Sequence, residues 1–375
     1  MRKIYKFITL FCAVLQLTGL SSHAEAAQPT VSAEAAVLIE AESGQVIYQK
    51  SAETIHSMAS TTKIMTALVA LETTPLDKVV ITSEKAVGVE GSSIYLGKDE
   101  RLTMEDLLYA LMLQSANDAA TAIAIDIAGS EEEFASLMNA KASELGLVNT
   151  HFTNPHGLDH AEHYTTALDL GRLACYALKN DTFSTIVSTY KHHIPLKDGD
   201  GVRMLVNHNR MLKMYDGTIG VKTGFTKKSG RCLVTAAERN GVKLVAVTLN
   251  APDDWNDHSK MLDYGFAMYE SVLLSMDGEQ SFVFPVVGGT VSEINARNHG
   301  ELRVILPKEG QKITRVNELK SFYWAPISAG DVLGRVVYYN NGVEIGSVDI
   351  IAEADVARIP SEKSLLDRFK AIFGK

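Results

Sequence analysis

The chain has 375 residues, more than a single domain ordinarily uses, and 46% of them are hydrophobic, which excludes disorder as the default state. A formal net charge of −9 excludes nucleic acid as a first partner, because phosphate binding needs a basic face.

The N-terminus carries an export pattern. Arg2, Lys3 and Lys6 precede an apolar run from Phe7 to Leu20, and Ala24-Glu25-Ala26 is a small-x-small cleavage site. The apolar run is too short to span a bilayer comfortably, so residues 1–26 read as a cleaved signal peptide. Cleavage removes three positive charges and one negative charge and leaves a mature chain at −11. Cys12 leaves with the signal. Cys175 and Cys232 remain, and their spacing does not decide between a bridge and two buried small hydrophobes.

Ala36–Glu40 and Gln45–Gln49 read as a hairpin turning at Ser43-Gly44. A helical block follows. Ile64, Leu68 and Leu71 repeat at helical spacing after Ser60, and Thr103 to Asp106 is a capping-box-like start for the next helix. Ala119–Ala128 and Glu131–Leu145 are two more helices, and Thr166 to Asp169 starts another. The pattern then turns to strands at Ile219–Lys222, Arg231–Ala237 and Lys243–Leu249, with Asn240-Gly241 marking a hairpin. A helix over roughly Ser259–Leu274 completes a first unit at residues 28–274. A composition break at Ser275 to Gly278 precedes short strands at Phe282–Val287, Leu302–Leu306, Val332–Tyr339 and Glu344–Ile351, a small all-β domain at 279–358. The fold class expected is α+β, with the early and late strands of the first unit in one antiparallel sheet beside the helical block. In the last segment, 361–375, Leu365, Leu366, Phe369, Ile372 and Phe373 share one helical face, and Lys363, Arg368, Lys370 and Lys375 supply positive charge. Such a basic amphipathic helix reads as a membrane-surface anchor, with docking on the β-domain as the alternative.

Three short motifs occur in order: Ser60-Thr61-Thr62-Lys63, Ser115-Ala116-Asn117 and Lys222-Thr223-Gly224. Each is weak alone, and together in this order they are specific. Ser60 is expected to open a helix, where residues three apart share a face, so Lys63 can reach it. Free N–H groups at a helix N-terminus also suit an oxyanion. Ser115 and Asn117 lie between two helices and can project together. Lys222-Thr223-Gly224 is expected to end a strand, and Gly224, lacking a side chain, lets a ligand lie against the strand edge.

The set resembles the serine penicillin-binding D,D-carboxypeptidases, the low-molecular-weight penicillin-binding proteins. The resemblance covers nearly the whole mature chain and extends to Asn154-Pro155-His156-Gly157-Leu158, Asn207-His208-Asn209 and Gly220 to Thr226; Ala116 departs from the glycine common in relatives. It implies that Ser60 attacks the carbonyl between two terminal D-alanines of a peptidoglycan stem peptide, with Lys63 as general base. Ser115 would relay a proton to the leaving amine, and Asn117 would hold Lys63 and the substrate amide. Lys222 and Thr223 would bind the terminal carboxylate, and the N–H groups of Ser60 and Phe225, flanking Gly224, would form the oxyanion hole. It implies further that β-lactam antibiotics acylate Ser60, that no metal or cofactor is required, and that the protein works at the outer face of the cytoplasmic membrane.

Three other readings compete. A β-lactamase shares the three motifs, but no E-x-x-L-N occurs; Glu144 to Asn149 misses that pattern. His151, His156, His160 and His163 beside Asp159 invite zinc, but Pro155 and Gly157 make the segment a loop without H-E-x-x-H spacing, so exposed loop histidines are expected. A non-catalytic wall-binding protein would not need Ser60, Lys63, Ser115 and Lys222 intact. Arg231 reads as a surface strand arginine, with a role on the substrate carboxylate as the alternative.

Overall fold

The computed structural model describes residues 28–197 and 201–360, so the signal peptide and the 361–375 helix expected above lie outside the described residues. Strands β1 (Ala35–Glu40) and β2 (Val46–Lys50) form the expected hairpin. Its turn is fixed by the Glu40 carboxylate, which accepts from the N–H and hydroxyl of Ser43, and by Gly44 at φ +73°. A 3₁₀ turn (Ala59–Thr62) leads into α1 (Lys63–Thr73), and β3 (Val79–Ile81) pairs with β4 (Arg101–Thr103) in a small ribbon. Four helices follow: α2 (Met104–Leu113), α3 (Asn117–Ala128), α4 (Glu131–Glu144) and α5 (Ala167–Ala177). Thr103 and Asp106 make a complete capping box on α2, and the Thr166 hydroxyl caps α5 by accepting from the Asp169 N–H. Helix α6 (Asp181–Ser188), a ribbon of β5 (Lys191–Pro195) with β6 (Val202–Val206) and a single turn α7 (Met211–Met214) lead to β7 (Thr218–Thr226), β8 (Gly230–Arg239) and β9 (Val242–Leu249). Helix α8 (Asp254–Met268) closes this part.

These strands form one antiparallel sheet in the order β2-β1-β9-β8-β7, so the first and last strands of the unit do share a sheet. Side chains alternate across β1 with period two. Val37 and Ile39 join the core under the helical block, while Ala36 and Leu38 face the core beneath α8. One glycine on each side lets a helix lie close to the sheet. A Cβ on Gly171 of α5 would come within 2.7 Å of Ile39, and one on Gly265 of α8 within 2.5 Å of Leu244. Helix α1 contacts α2, α3, α4, α5 and α6, and every residue from Lys63 to Ala70 is buried. A helix apolar on all sides needs such a position.

The remaining strands are β10 (Tyr269–Ser275), β11 (Ser281–Val287), β12 (Glu293–Asn298), β13 (Leu302–Pro307), β14 (Ile313–Leu319), β15 (Tyr323–Trp324), β16 (Val332–Asn340) and β17 (Val343–Ala352). Six of them make a sheet ordered β14-β16-β17-β12-β11-β15 around a separate core that includes Phe284, Ile294, Val336 and Ile350, and β10 pairs with β13 alongside it.

Three expectations need correction. The helix expected over Ser259–Leu274 begins at Asp254 and ends at Met268, and Tyr269–Ser275 is strand β10; its apolar residues pair with β13 instead of continuing the helix. Ser60 lies in the 3₁₀ turn, one step before α1. Lys222-Thr223-Gly224 sits inside β7, which runs on to Thr226 because β8 pairs with it through Gly230. Cys175 and Cys232 are both free and buried in the helical-side core.

Leu38 is fully buried against α8, and truncating it leaves a cavity the rigid sheet cannot close. Leu38→Ala is expected to lower unfolding stability by about 2–5 kcal/mol, measured by denaturant titration.

Candidate active site

The three motifs meet. The 3₁₀ turn presents Ser60 at its second residue and α1 presents Lys63 at its first, one turn further on, so the Lys63 Nζ stands 3.1 Å from the Ser60 Oγ. Nζ also lies 2.7 Å from the Asn117 Oδ1 and 2.6 Å from the backbone carbonyl of His156. These partners suit a neutral amine, which has two N–H donors and one lone pair. The amide oxygen and the carbonyl take the two donors and leave the lone pair facing the Ser60 hydroxyl. Burial holds the Lys63 pKa well below its usual value, the nearby positive Lys222 adds to the depression, and Asp118 opposes both.

Each partner of Lys63 is fixed in turn. Asn117 opens α3, and its side-chain amide donates to the Glu90 carbonyl at 2.6 Å while its own N–H donates to the Ser92 carbonyl. Buried Asp118, the next residue, accepts from the Ser93 hydroxyl and from the N–H groups of Ile94 and Leu96, and so binds the 90–96 loop beside the site. The sequence reading missed Asp118, although an acid in the first turn of a helix was the available signal. The His156 carbonyl is set by a turn in which the Asn154 Oδ1 accepts from the Gly157 N–H at 2.7 Å and the Asn154 amide donates to the Leu158 carbonyl. Gly157 sits at φ +89°, and a Cβ there would fall 1.9 Å from the Ala59 carbonyl oxygen, so only glycine fits between this turn and Ser60.

Two residues beside the nucleophile region adopt left-handed backbone without being glycine: Ala59 at φ +47° and Ser115 at φ +58°. Each such position costs about 1–3 kcal/mol and persists only where the surroundings impose it. Ser115 projects into a cleft of about 310 Å³ lined also by Ser60, Ser92, His208, Thr223, Gly224, Phe225 and Arg231. The turn that presents His208 is built by Asn207, whose side chain donates to the Val187 and Thr189 carbonyls and accepts from the Asn209 N–H.

Strand β7 is an edge of the five-stranded sheet, so one side of its backbone is unpaired by any strand among the described residues. A Cβ on Gly224 would meet the Met58 carbonyl and the Ser60 nitrogen at 3.1 Å, which is why β7 can pass this close to the 3₁₀ turn. Lys222 is buried, donates to the Thr223 carbonyl at 2.8 Å, and has its pKa pushed down to about 7 by burial. Arg231 is not a plain surface arginine. It lines the cleft, and its Nε and Nη2 donate to the Oδ1 of buried Asp254 at 3.0 and 2.8 Å.

The four histidines divide, which corrects the expectation of exposed loop side chains. His156 and His163 are buried. The His163 Nδ1 accepts from the Thr153 N–H, which leaves its Nε2 to donate to the Thr62 hydroxyl at 2.7 Å, and that hydroxyl donates to the Ala59 carbonyl. Burial, then the neighbouring histidines and Lys63, push the His163 pKa down to about 3, so the ring is neutral. The backbone N–H of Leu158 donates to the His156 Nδ1, which directs the His156 Nε2–H toward Glu131 at 3.5 Å. These rings brace the turns behind Ser60 and Lys63. Among the described residues no group of three or more His, Cys, Asp or Glu is disposed to hold a metal ion.

Residues 22–253 match the family model described as D-alanyl-D-alanine carboxypeptidase. The chain belongs to that family. Residues 269–358 match a second model, the penicillin-binding protein 5 C-terminal domain. D-alanyl-D-alanine carboxypeptidase DacF of Bacillus subtilis is 35% identical over 87% of this chain and 86% of its own length. DacC of Escherichia coli is 31% identical over 90% of this chain and 88% of its own. Among solved structures, a peptidoglycan synthesis regulatory factor (PBP3) from Streptococcus pneumoniae superposes with a TM-score of 0.74 at 26% identity, covering 88% of this chain and all of the other. Membership also separates the chain from the β-lactamase reading, since its catalytic part is matched by the D-alanyl-D-alanine carboxypeptidase model and its C-terminal part by the penicillin-binding protein 5 model.

The depressed Lys222 pKa has a consequence for stability. Between about 7 and the usual lysine value of 10.5 the unfolded chain binds a proton that the folded chain does not. Stability from this group therefore rises as pH rises through that window and is absent below it. The stability difference between the wild type and Lys222→Met should accordingly grow in favour of the wild type from pH 7 to pH 10, measured by urea unfolding at each pH.

Proposed function

We propose that this serine-type D,D-carboxypeptidase of cell-wall metabolism works through an acyl-enzyme on Ser60, with Lys63 as its base. The observation that carries the reading is the fully buried Lys63 amine, which stands 3.1 Å from the Ser60 Oγ, 2.7 Å from the Asn117 Oδ1 and 2.6 Å from the His156 carbonyl.

The substrate is a peptidoglycan stem peptide ending in D-Ala-D-Ala. Its terminal carboxylate is bound by Thr223, which lines the cleft, and by Lys222, the buried residue before it, while Arg231, held by Asp254, lines the same cleft. Its backbone adds to the free edge of β7 as an extended strand would. The Ser60 Oγ forms a bond to the penultimate D-alanine carbonyl carbon while its proton passes to Lys63. The developing oxyanion takes the N–H groups of Ser60 and Phe225, a contribution of about 3–4 kcal/mol per donor. The amine of the last D-alanine leaves with a proton relayed by Ser115, which breaks the peptide bond and leaves Ser60 acylated. Water, deprotonated by Lys63, then hydrolyses the ester and restores the hydroxyl. Asn117 holds Lys63 and accepts or donates to the substrate amide. A β-lactam presents an equivalent carbonyl and carboxylate and acylates Ser60 in the same way.

The reading extends to the chain ends. The pattern at 1–26 supports export, and the pattern at 361–375 supports attachment to the outer face of the cytoplasmic membrane by an amphipathic helix. No helix among the described residues is long and apolar enough to cross a membrane.

Incubation with benzylpenicillin followed by intact-mass measurement tests the mechanism. A stable adduct is expected with the wild type and none with Ser60→Ala. Lys63→Ala should slow acylation by about 10²–10⁴-fold, the worth of a positioned base. Rapid loss of the adduct with turnover of the antibiotic, or no adduct from folded protein, overturns the reading.

The pH dependence supplies a second test. Lys222 must be protonated to attract a carboxylate, and its proton is lost near pH 7 in the free enzyme. The kcat/KM for a peptide ending in free D-alanine should therefore fall as pH rises above about 7, while a peptide whose terminal carboxyl is amidated should show no such alkaline limb.

A further inference from the structure

The two edges of the six-stranded C-terminal sheet differ in that only one carries exposed aromatic side chains. Strand β14, at one edge, presents Thr314, Arg315, Asn317 and Glu318 to solvent, with Ile313 and Val316 exposed beside them. Charged and polar side chains of this kind keep an edge from binding other surfaces. At the opposite edge β15 runs parallel to β11, with Tyr323 beside Val286 and Trp324 beside Val287. Tyr323 points inward against Phe284. Phe322 and Trp324, on either side of it, point outward, 45% and 67% exposed and packed edge to face at 5.8 Å. Pro285 and Val287 on β11 are exposed beside them. This edge therefore shows solvent two aromatic and two aliphatic side chains, with exposed Lys320 beside them over the Tyr323 ring.

The exit of the chain lies at the same corner. The Ala325 N–H donates to the Val287 carbonyl, and the Ile359 N–H donates to the carbonyl of the next residue, Gly288. Exposed Ile359 and Pro360 thus stand one residue along β11 from the partner of Trp324, and residues 361–375 begin there.

We propose that this aromatic edge is a second membrane contact, which rests on the lipid headgroup region beside the point where the 361–375 segment attaches. The proposal depends on the reading of that segment as a membrane anchor. A 15-residue helix extends only about 22 Å. Lying in the interface, it holds the corner it leaves from against the bilayer, and Trp and Phe are side chains that partition to that depth. Arg358 and Lys320, both exposed at this end, add positive charge for anionic headgroups.

The chain contains only two tryptophans, Trp255 and Trp324, so Trp255→Phe leaves Trp324 as the sole indole reporter. The protein from residue 28 to 375, in this variant, is titrated with vesicles of phosphatidylglycerol and phosphatidylethanolamine. Expected are co-sedimentation, a shift of Trp324 emission to shorter wavelength, and quenching by brominated acyl chains. In the otherwise wild-type chain, Phe322→Ser with Trp324→Ser should weaken vesicle partitioning about tenfold or more, the ratio given by 1.4 kcal/mol of lost apolar burial, while benzylpenicillin acylation stays unchanged as the check on folding. Co-sedimentation with unchanged Trp324 emission overturns the second contact and leaves the anchor standing. Emission that is already at short wavelength without vesicles, and moves to longer wavelength when residues 361–375 are removed, assigns the edge to the chain's own C-terminal segment and also overturns it. Absence of co-sedimentation overturns both readings.

Discussion

Burial of one primary amine organises the catalytic half of this molecule. A charged lysine taken out of water costs several kcal/mol unless it is paired, and Lys63 has no carboxylate among its hydrogen-bond partners. Its partners are a hydroxyl, an amide oxygen and a main-chain carbonyl. In the neutral state the amine donates twice and accepts once; in the charged state it donates to all three. The same heavy-atom arrangement thus satisfies Lys63 in either protonation state, so a change of charge needs no movement of the shell. Preorganisation of this kind requires that the shell be rigid, and the rigidity is visible: Asn117 is pinned by Glu90, the 154–158 turn is pinned by Asn154, and Gly157 is wedged against Ala59. The second buried lysine, Lys222, is likewise pushed down by burial, to about 7, and its charge adds to the depression at Lys63.

The site also explains why the catalytic unit begins and ends in one sheet. Ser60 comes from the turn just before α1, Ser115 and Asn117 from the join of α2 and α3, and Lys222 from β7. Only a sheet whose early and late strands pair can bring β7 against the 3₁₀ turn near the N-terminus. The contact is made at Gly224, where a side chain would strike the Ser60 nitrogen. The glycines at 171 and 265 do the same on the two faces of the sheet, so the spacing of layers that positions the site is written in residues with no side chain.

Much of this was legible in the sequence because the signals were local. The capping residues of α2 and α5, the hairpin at Ser43-Gly44 and the strands flanking Asn240-Gly241 depend on short-range hydrogen bonds and backbone preferences, and they lie where the pattern put them. The three motifs were legible for the same reason. What escaped depends on tertiary contact. Tyr269–Ser275 continues an apolar helical pattern and becomes a strand only because β13 offers it a partner. The His156 carbonyl is a main-chain atom and has no residue-type signature at all. His163 reads as a loop histidine until Thr62 and Thr153 are seen to enclose it. Arg231 and Asp254 are 23 positions apart, and neither announces the pairing.

The two sheets treat their exposed edges by opposite physical means, and the difference tells what each edge meets. At β7 the cleft beside the edge is lined by the hydroxyls of Ser60, Ser115 and Thr223, by Gly224 and by Arg231, a polar surface suited to main-chain hydrogen bonds and charge. At β15 the exposed side chains are Phe322 and Trp324, which offer area and no directional donors beyond one indole N–H. A surface of that composition gains free energy only by leaving water, and it does so for any apolar phase it can reach. Chain geometry then limits what it can reach. The last described residues run alongside β11 at the same corner, so whatever holds residues 361–375 also determines what lies within contact of Trp324.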